Sequence, residues 1–458
     1  WHSERSVVLI VTDDRPFLVD SVRMVLERQQ VGTHLLVHPM LAVGRDADGR
    51  ALGVCSLYDP AVADLPGTVA IEAWTLIEID RCSAEAAEQL ANGVKAAVDG
   101  VHRAVADFDA MRDRMSALAP IDPLLAWFCE GHFVFLGAVT CDLSSGTPEP
   151  RPDTALGSLS APGALDDGAD PPIEASGEPV TVARSTVEST VHRPARITAV
   201  TVRTHDAAGT PVAERFVGLL ATSAYRQSVL SIPTVGDRAR EVLGLAHQGA
   251  ETHHGRAIRN VLETLPRDLV FELDAHSLAE LVIDVVGLQE RQIVRAFMVP
   301  EPAGGGATVL VYLPKSRFTA ELAGEVAHLV GEAYRSPVRD IESLVGSSSL
   351  ARVTLTVTDA GDEVDLDALS EQLDEATTAW IDRIAAAVRR RNGSLKHADV
   401  VMQLAGASPP EFRSAVDITT AVGDLDRIAE LTTGAAPAIV ALTRDLGAPA
   451  DEHRVRLY

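Results

Sequence analysis

Short apolar runs alternate with stretches of helical periodicity at both ends of this chain, and that alternation is the feature that most restricts its fold. The first occurrence covers residues 1–120. Apolar patterns there predict strands at residues 7–11, 34–43 and 73–79, a helix at 18–26, and one or two long helices at 83–118. The order β-α-β-β-α is typical of a small ferredoxin-like sandwich.

A similar pattern returns after residue 245. It predicts strands at residues 269–273, 293–299, 309–313 and 338–344, and helices at 277–288 and 318–334. Ser277 is a suitable N-cap for the first of these helices. We therefore predict a second βαββαβ domain at residues 246–348. A strand at 352–358 and a helix at 366–391 indicate an incomplete third unit with a helical insert at 349–458.

The residues between these two domains, 121–245, predict a mainly antiparallel domain. Strands are expected at residues 133–141, 180–183, 197–204 and 214–222, with a hairpin turn at 206–210. Within this domain, residues 144–179 consist largely of Ser, Gly, Pro, Ala and Asp, a composition that buries little apolar surface. We expect a disordered insert there. The fold class predicted for the whole chain is α+β.

Composition excludes several classes of function. The formal net charge is −25 and the sequence pI is about 4.9, so neither nucleic acid nor an anionic membrane surface is an expected partner. The sequence has no apolar run of membrane-spanning length. The four cysteines form no C-x-x-C pair, which favours a reducing cytoplasmic location over a disulfide framework. Both ends of the sequence look as if they were cut from a longer chain.

The sequence lacks the motifs that carry common catalytic chemistry. It contains no G-x-G-x-x-G turn, no P-loop and no H-E-x-x-H. The glycines at 304–306 lie between two predicted strands and are interpreted as a turn. His34 and His38 would share one face of a strand, and His253 and His254 are adjacent. We interpret both pairs as packing or surface histidines, so no metal site and no catalytic residue is predicted.

The strongest candidate for a binding site is the turn between the first strand and the first helix. It comprises Asp14, Arg15, Pro16, Phe17 and Leu18. A helix N-terminus offers free N–H groups and suits a carboxylate ligand. The alternative is a plain capped helix, with Asp14 as the cap and Pro16 in the first turn.

Two further polar clusters are interpreted as structural turns and ion pairs. The first is residues 185–190 with His192, Arg193 and Arg196. The second is residues 264–268, Thr-Leu-Pro-Arg-Asp.

An ordered set of short motifs resembles the N-terminal region of the large bacterial NAD-specific glutamate dehydrogenases. The set begins with Asp14-Arg15-Pro16-Phe17-Leu18-Val19-Asp20-Ser21-Val22 and His38-Pro39, and continues with Ser189-Thr190-Val191-His192-Arg193-Pro194, Arg215-Phe216-Val217-Gly218-Leu219, Pro266-Arg267-Asp268 and Val311-Tyr312-Leu313-Pro314-Lys315. These motifs span nearly the whole chain. The resemblance implies ACT-like domains at both ends of a PAS-like domain, with the catalytic domain that binds NAD and glutamate lying downstream.

The resemblance leads to three expectations about function. The leading one is a regulatory and assembly region that has its own catalytic domain as partner and forms a homo-oligomer, with NAD bound only by the parent enzyme. The alternatives are an independent amino-acid sensor and an oligomerisation scaffold. ACT domains often bind amino acids at the first strand–helix turn, where a glycine follows the proline. Here that position is Phe17, whose side chain would hinder close approach of a ligand to the backbone.

Overall fold

The computed structural model of this chain describes residues 4–166, 171–173, 177–247, 249, 251–291, 293–301, 304–361, 364–378, 380–390, 395–409, 412, 416–432, 438–443 and 454–458. Two units are distinguished by their internal packing. The first consists of residues 1–286 and 301–304, and the second of residues 287–300 and 305–458.

The first unit opens with an antiparallel sheet of five strands. These are β1 (Ser6–Thr12), β2 (Thr33–Val37), β3 (Met40–Arg45), β4 (Ala51–Ser56) and β5 (Thr68–Ile79). The order across the sheet is β1-β5-β3-β4. Strand β2 pairs with residues 76–79 of β5, whose other side pairs with β1. The predicted single strand at 34–43 is therefore split at His38-Pro39. Strand β4 was not predicted.

Three helices follow the predicted pattern of this region. They are α1 (Leu18–Arg28), α2 (Ala84–Ala106) and α3 (Phe108–Ala117). The prediction of one or two long helices over 83–118 is confirmed, with two helices present. The hydroxyl of Ser83 caps α2 by accepting the N–H of Ala86. The apolar faces of α1 and α2 pack on one side of the sheet, where Val22, Leu26, Ile77, Ile79, Leu90 and Val94 form the core.

A second sheet fills the middle of the first unit, preceded by α4 (Pro123–Trp127). Its strands are β6 (Phe133–Asp142), β7 (Glu149–Pro150), β8 (Leu156–Gly157), β9 (Val180–Glu188), β10 (Arg196–His205) and β11 (Pro211–Leu220). The order is β7-β6-β11-β10-β9, with β8 beside β6, and every pair is antiparallel. The hairpin turn at 206–210 is confirmed, because the Asp206 carboxylate accepts the N–H groups of Ala208 and Thr210.

The expected disordered insert is wrong for the described part of residues 144–179. Three apolar side chains in it, Leu159, Leu165 and Ile173, pack against Val139 and Cys141 of the sheet. The composition is poor in apolar residues, but Ile173 is buried and Leu159 and Leu165 are half-buried against an existing sheet face, so the segment needs no core of its own. The remaining part of the prediction, at 167–170 and 174–176, lies outside the described residues.

Five helices follow this sheet in the chain. They are α5 (Thr222–Arg226), α6 (Val235–Leu245), α7 (His253–Thr264), α8 (Arg267–Glu272) and α9 (Ala275–Arg291). The strand predicted at 269–273 is wrong, because Leu269, Val270 and Phe271 are buried in α8. A short apolar run fits a buried helix as well as a strand. The cap of α9 is Asp274 rather than Ser277, since its carboxylate accepts the N–H groups of residues 276 and 277.

The second unit contains another antiparallel sheet. Its elements are β12 (Arg295–Pro300), β13 (Ala307–Pro314), α10 (Ala320–Tyr334), β14 (Val338–Leu344), β15 (Leu350–Val357) and α11 (Leu366–Thr377). The sheet order is β12-β13-β15-β14. The element order is ββαββα, so the predicted boundary at residue 348 is wrong. Residues 350–377 complete this domain, and β15 is a central strand with all eight residues buried.

Three helices and a hairpin follow in the second unit. These are α12 (Trp380–Arg390), α13 (Leu395–Ala407), α14 (Ile418–Thr432), β16 (Val440–Thr443) and β17 (Arg454–Leu457). The helices share one apolar core that includes Ile384, Val401 and Val422. The long helix predicted at 366–391 is thus two helices, α11 and α12. None of the helices in the described part of the chain is long and apolar enough to cross a bilayer.

Candidate functional site

The predicted site residues lie on the turn that joins β1 to α1. The helix begins at Leu18, and Phe17 is its N-cap in the left-handed conformation, with φ 70° and ψ −2° and no side-chain cap. The predictions that Asp14 caps the helix and that Pro16 lies in its first turn are therefore wrong. The backbone at Phe17 adopts the conformation that favours glycine, in agreement with the glycine expected there in ligand-binding ACT domains.

Two of the predicted residues face the interior. Leu18 is 1% exposed and belongs to the core. The ring of Phe17 packs against the ring of His192, with centroids 4.5 Å apart. Both side chains therefore have structural contacts.

The other three predicted residues lie nearer to solvent. The Asp14 carboxylate lies 3.9 Å from His38 Nε2, and the Arg15 guanidinium lies 3.6 Å from the Asp13 carboxylate. Pro16 is exposed. The buried Nε of Arg15 has no hydrogen-bond partner among the described residues. Asp14 and Arg15 are thus the members of the predicted set that a ligand could contact.

Two hydroxyl–imidazole pairs lie beneath this turn, on the face of the first sheet that carries the helices. The Thr12 hydroxyl lies 2.7 Å from His102 Nε2, and the Thr75 hydroxyl lies 2.6 Å from His38 Nδ1. Thr12 and Thr75 are diagonal neighbours on the paired strands β1 and β5. Together with the Asp14 carboxylate, these groups supply donors and acceptors of hydrogen bonds suited to a small polar molecule.

The sequence pointed to only part of this cluster. His38 was paired with His34 on the basis of strand spacing, but the structure separates them: His34 Nε2 lies 2.7 Å from the Asp80 carboxylate instead. Thr12 and His102 are 90 residues apart in the chain. No local pattern marks such a contact, so the sequence could not reveal it.

The loop between β9 and β10 packs against α1 and holds the turn in place. His192 has a positive φ of 75°, and its backbone N–H donates to the Ser21 hydroxyl at 3.0 Å. That hydroxyl in turn donates to the carbonyl of Phe17 at 2.7 Å. Arg28 donates to the carbonyl of Ser189 at 2.9 Å. Burial lowers the pKa of the His192 imidazole, and the neighbouring Arg193 guanidinium lowers it further.

The two polar clusters singled out in the sequence contain structural hydrogen bonds. Arg193 donates to the carbonyl of Leu220 at 2.7 Å, and Arg196 donates to that of Ser185 at 2.8 Å. Arg267 of the Pro-Arg-Asp segment donates to the carbonyl of residue 227 at 3.0 Å. These contacts agree with the structural interpretation of both clusters.

A buried ion pair lies close to these clusters and escaped the sequence analysis. Arg184 of β9 and Glu272 of α8 approach to 3.0 Å, with side chains 11% and 4% exposed. The pair joins the second sheet to the helix of the Pro-Arg-Asp segment.

The remaining polar side chains supply little evidence for catalytic chemistry. Among the described residues, no group of three or more His, Cys, Asp or Glu side chains has the geometry of a metal site. The His253 and His254 rings are nearly perpendicular, 6.1 Å apart. Burial raises the pKa of the Cys129 thiol to about 11, and burial also raises that of Cys141, so both are poor nucleophiles.

Each of the two units contains a concave region. A groove of about 460 Å³ lies between β1 and α2 in the first unit and is lined mainly by apolar side chains. A cleft of about 780 Å³ lies in the second unit and is lined by several acidic and basic side chains. Two of its carboxylates are paired with guanidinium groups: Asp367 with Arg295, and Asp374 with Arg317.

Comparison with protein-family models gives three matches, in order along the chain. Residues 1–94 match the ACT1 domain of glutamate dehydrogenase, residues 232–291 match its helical motif 1, and residues 295–381 match its ACT2 domain. The third match ends close to the end of α11. It therefore agrees with the observed boundary of the second ACT domain and not with the predicted boundary at residue 348.

Curated relatives match over almost the whole chain. NAD-specific glutamate dehydrogenases of Halomonas elongata and Pseudomonas aeruginosa are each 28% identical, over 95% and 94% of this chain. That of Mycobacterium tuberculosis is 26% identical over 92%. The matched regions make up 29%, 28% and 27% of these relatives, so the chain spans less than a third of their length.

Proposed function

We infer the role of this chain from the family to which it belongs, that of the large bacterial NAD-specific glutamate dehydrogenases. The observation that carries the inference is the succession of ACT1, helical motif 1 and ACT2 on one chain. The chain is a regulatory region of such an enzyme. The parent enzyme oxidises L-glutamate to 2-oxoglutarate and ammonium and reduces NAD⁺ to NADH.

The chemistry itself belongs to another part of the parent enzyme. A dinucleotide site needs a glycine-rich turn between a strand and a helix, where the backbone approaches the pyrophosphate. The sequence has no such turn, and the glycines at 304–306 join β12 to β13, so the residues present do not fit NAD. Residues 1–458 are expected to form no NADH from glutamate and NAD⁺. Clear turnover by this chain alone would overturn the assignment.

The β1–α1 turn supports amino-acid sensing as the regulatory input. It offers an exposed carboxylate, a guanidinium and two hydroxyl–imidazole pairs around a helix N-terminus. Titration calorimetry against the twenty amino acids tests this. We expect binding that is lost in Arg15→Ala and kept in Arg23→Ala, which removes an exposed arginine of α1 instead. Absence of binding across the whole panel would leave assembly as the role of this region.

Assembly into a homo-oligomer is the second proposed role. It rests on the domain organisation, in which a mainly antiparallel domain of PAS-like character lies between two ACT domains. Light scattering measures the oligomeric state directly, and a strict monomer at micromolar concentration would contradict the assembly role. We place the enzyme in the cytoplasm, a reducing compartment, since all four cysteines are free thiols.

A further inference from the structure

The first sheet has an apolar face that points away from α1 and α2, and we call it the open face. Side chains of a strand alternate between the two faces of a sheet, and Val8, Ile10 and Leu36 pack on the helix side. Their neighbours along β1 and β2 therefore lie on the open face, where they are 38–56% exposed: Val7, Leu9, Val11, Leu35 and Val37. Leu76 of β5 pairs with both Leu9 and Val37, so these side chains form one continuous patch.

Apolar residues on both faces of a strand are typical of sheets that are covered on both sides. The second ACT domain has such a strand. Strand β15 corresponds to β5, because each pairs with the strand that precedes the first helix of its domain, and all eight residues of β15 are buried. In β5, the side chains on the open face, Trp74, Leu76 and Glu78, are only half-buried. The open face thus has the composition of a covered surface.

The charged side chains that the strands place on the open face are already paired. Glu72 accepts hydrogen bonds from Nε and Nη2 of Arg45 at 2.5 and 2.8 Å, and from Nε1 of Trp74 at 3.0 Å. The Glu78 carboxylate lies 3.5 Å from the Arg5 guanidinium. A partner of this face therefore has no charge to neutralise, and an apolar surface suits it best, because an unpaired charge is costly to bury.

A second copy of the same face meets this requirement. A two-fold contact places one patch against the identical patch of its partner. Because the charges of the open face are paired within each copy, the contact brings no unpaired like charges together. Two sheets that pack face to face lie about 10 Å apart and interdigitate their apolar side chains.

The size of the open face agrees with an interface between two copies. Strand β5 has 12 residues and the sheet is four strands wide. At about 3.3 Å per residue and about 4.8 Å between strands, the face covers on the order of 600 Å². A standard interface buries about 800 Å² on each partner. A contiguous apolar patch larger than a few hundred Å² is rare on a monomer and marks an interaction site.

We propose that two copies of this chain associate through their open faces. The row formed by Leu9, Leu76 and Val37 in one copy packs on the same row of the other, and α1 and α2 of each copy lie on the outside of the resulting sandwich. The proposal rests on the assembly role inferred above and names the surface that carries it.

Sedimentation velocity of residues 1–458 over a range of concentrations tests the proposal with two matched substitutions. Leu9 and Ile71 are 56% and 54% exposed, but Ile71 lies on the helix side of the sheet, in register with Ala42. Leu9→Lys is expected to raise the dissociation constant of the dimer by roughly 100-fold, because each dimer would bury two unpaired ammonium groups. Ile71→Lys is expected to leave it unchanged.

The outcomes separate this surface from assembly in general. A Leu9→Lys chain that dimerises as tightly as the unchanged chain overturns the proposal and leaves the assembly role standing, as does equal weakening by Ile71→Lys. An unchanged chain that is a strict monomer overturns both. If Leu9→Lys does not fold, the unchanged chain is labelled with hydroxyl radicals at increasing protein concentration. Labelling of Leu9 and Val37 is expected to fall as the dimer forms while that of Ile71 stays constant, and constant labelling at all three positions overturns the proposal.

Discussion

The ring of Phe17 packs on the ring of His192, and both residues hold a backbone conformation with positive φ. For a residue other than glycine this conformation costs about 1–2 kcal/mol. The hydrogen bonds that Ser21 makes to both of their backbones keep the two residues in place. The turn predicted to bind an effector is thus part of the contact between the first ACT domain and the second sheet. The turn and the loop between β9 and β10 are therefore in direct contact.

Substitution of Phe17 should separate backbone strain from packing. Both Phe17→Gly and Phe17→Ala lose the contact with His192, but only glycine relieves the strain. Phe17→Gly is therefore expected to be more stable than Phe17→Ala by about 1 kcal/mol, measured by denaturant unfolding. The opposite order is expected at Val19 within α1, where alanine should exceed glycine by about 1 kcal/mol. The same order at both positions would contradict the left-handed conformation of Phe17.

The stability of this contact should depend on pH through His192. Its folded-state pKa is lowered from 6.5 by burial and then by Arg193. The unfolded chain therefore binds a proton at this imidazole more readily than the folded chain does. The stability that the neutral imidazole contributes is present in full above pH about 6.5 and is lost as the pH falls below that value. Denaturant unfolding between pH 5 and 7 should show a smaller loss of stability in His192→Asn, because asparagine tolerates positive φ and does not titrate. An identical loss of stability in the unchanged protein and in His192→Asn would exclude a role of His192 in the pH dependence.

Local patterns in the sequence were sufficient for the fold class but not for the domain boundaries. Most strands of the two ACT domains and the long helices after β5 follow from apolar spacing, whereas β4 and the break between β2 and β3 do not. The sequence did not reveal that β15 completes the second ACT sheet, because its pairing with β13 is set by tertiary contacts. Residues 269–273, which lie largely in α8, were predicted as a strand. This run of four apolar residues and one acidic residue is too short for its periodicity to distinguish a strand from a helix.

The candidate site was foreseen only where it is contiguous in sequence. Asp14 to Leu18 lie on one turn, which a proline and several acidic residues marked. Their neighbours Thr75, His102 and His192 come from a strand, a helix and a loop distant in the chain. Phe17 and Leu18 face the interior and have structural contacts. No pattern in a single sequence distinguishes such a turn residue from one that faces a ligand.

The ion pair between Arg184 and Glu272 should be costly to break on one side. Both side chains are almost fully buried, and Glu272 also accepts the backbone N–H of Arg184 at 2.7 Å. Glu272→Ala leaves a buried guanidinium without its main partner and should destabilise the chain by about 3–5 kcal/mol. The double variant Arg184→Met, Glu272→Leu should lose less than Glu272→Ala alone, measured by denaturant unfolding. A larger loss in the double variant would show that packing, not charge, dominates there.

Two glycines of the segment after β6 test whether that segment is ordered on the sheet. Gly157 has a φ of 60°, and a Cβ there would overlap the carbonyl oxygen of Leu136, whereas Gly146 has a φ of 82° and open space around it. The N–H of Gly157 also donates to the Asp107 carboxylate at 2.7 Å. Gly146→Ala should therefore cost only the strain of positive φ, about 1 kcal/mol. Gly157→Ala should cost clearly more and should expose the segment to limited proteolysis, whereas equal effects of the two changes would mean that the segment does not pack on the sheet in solution.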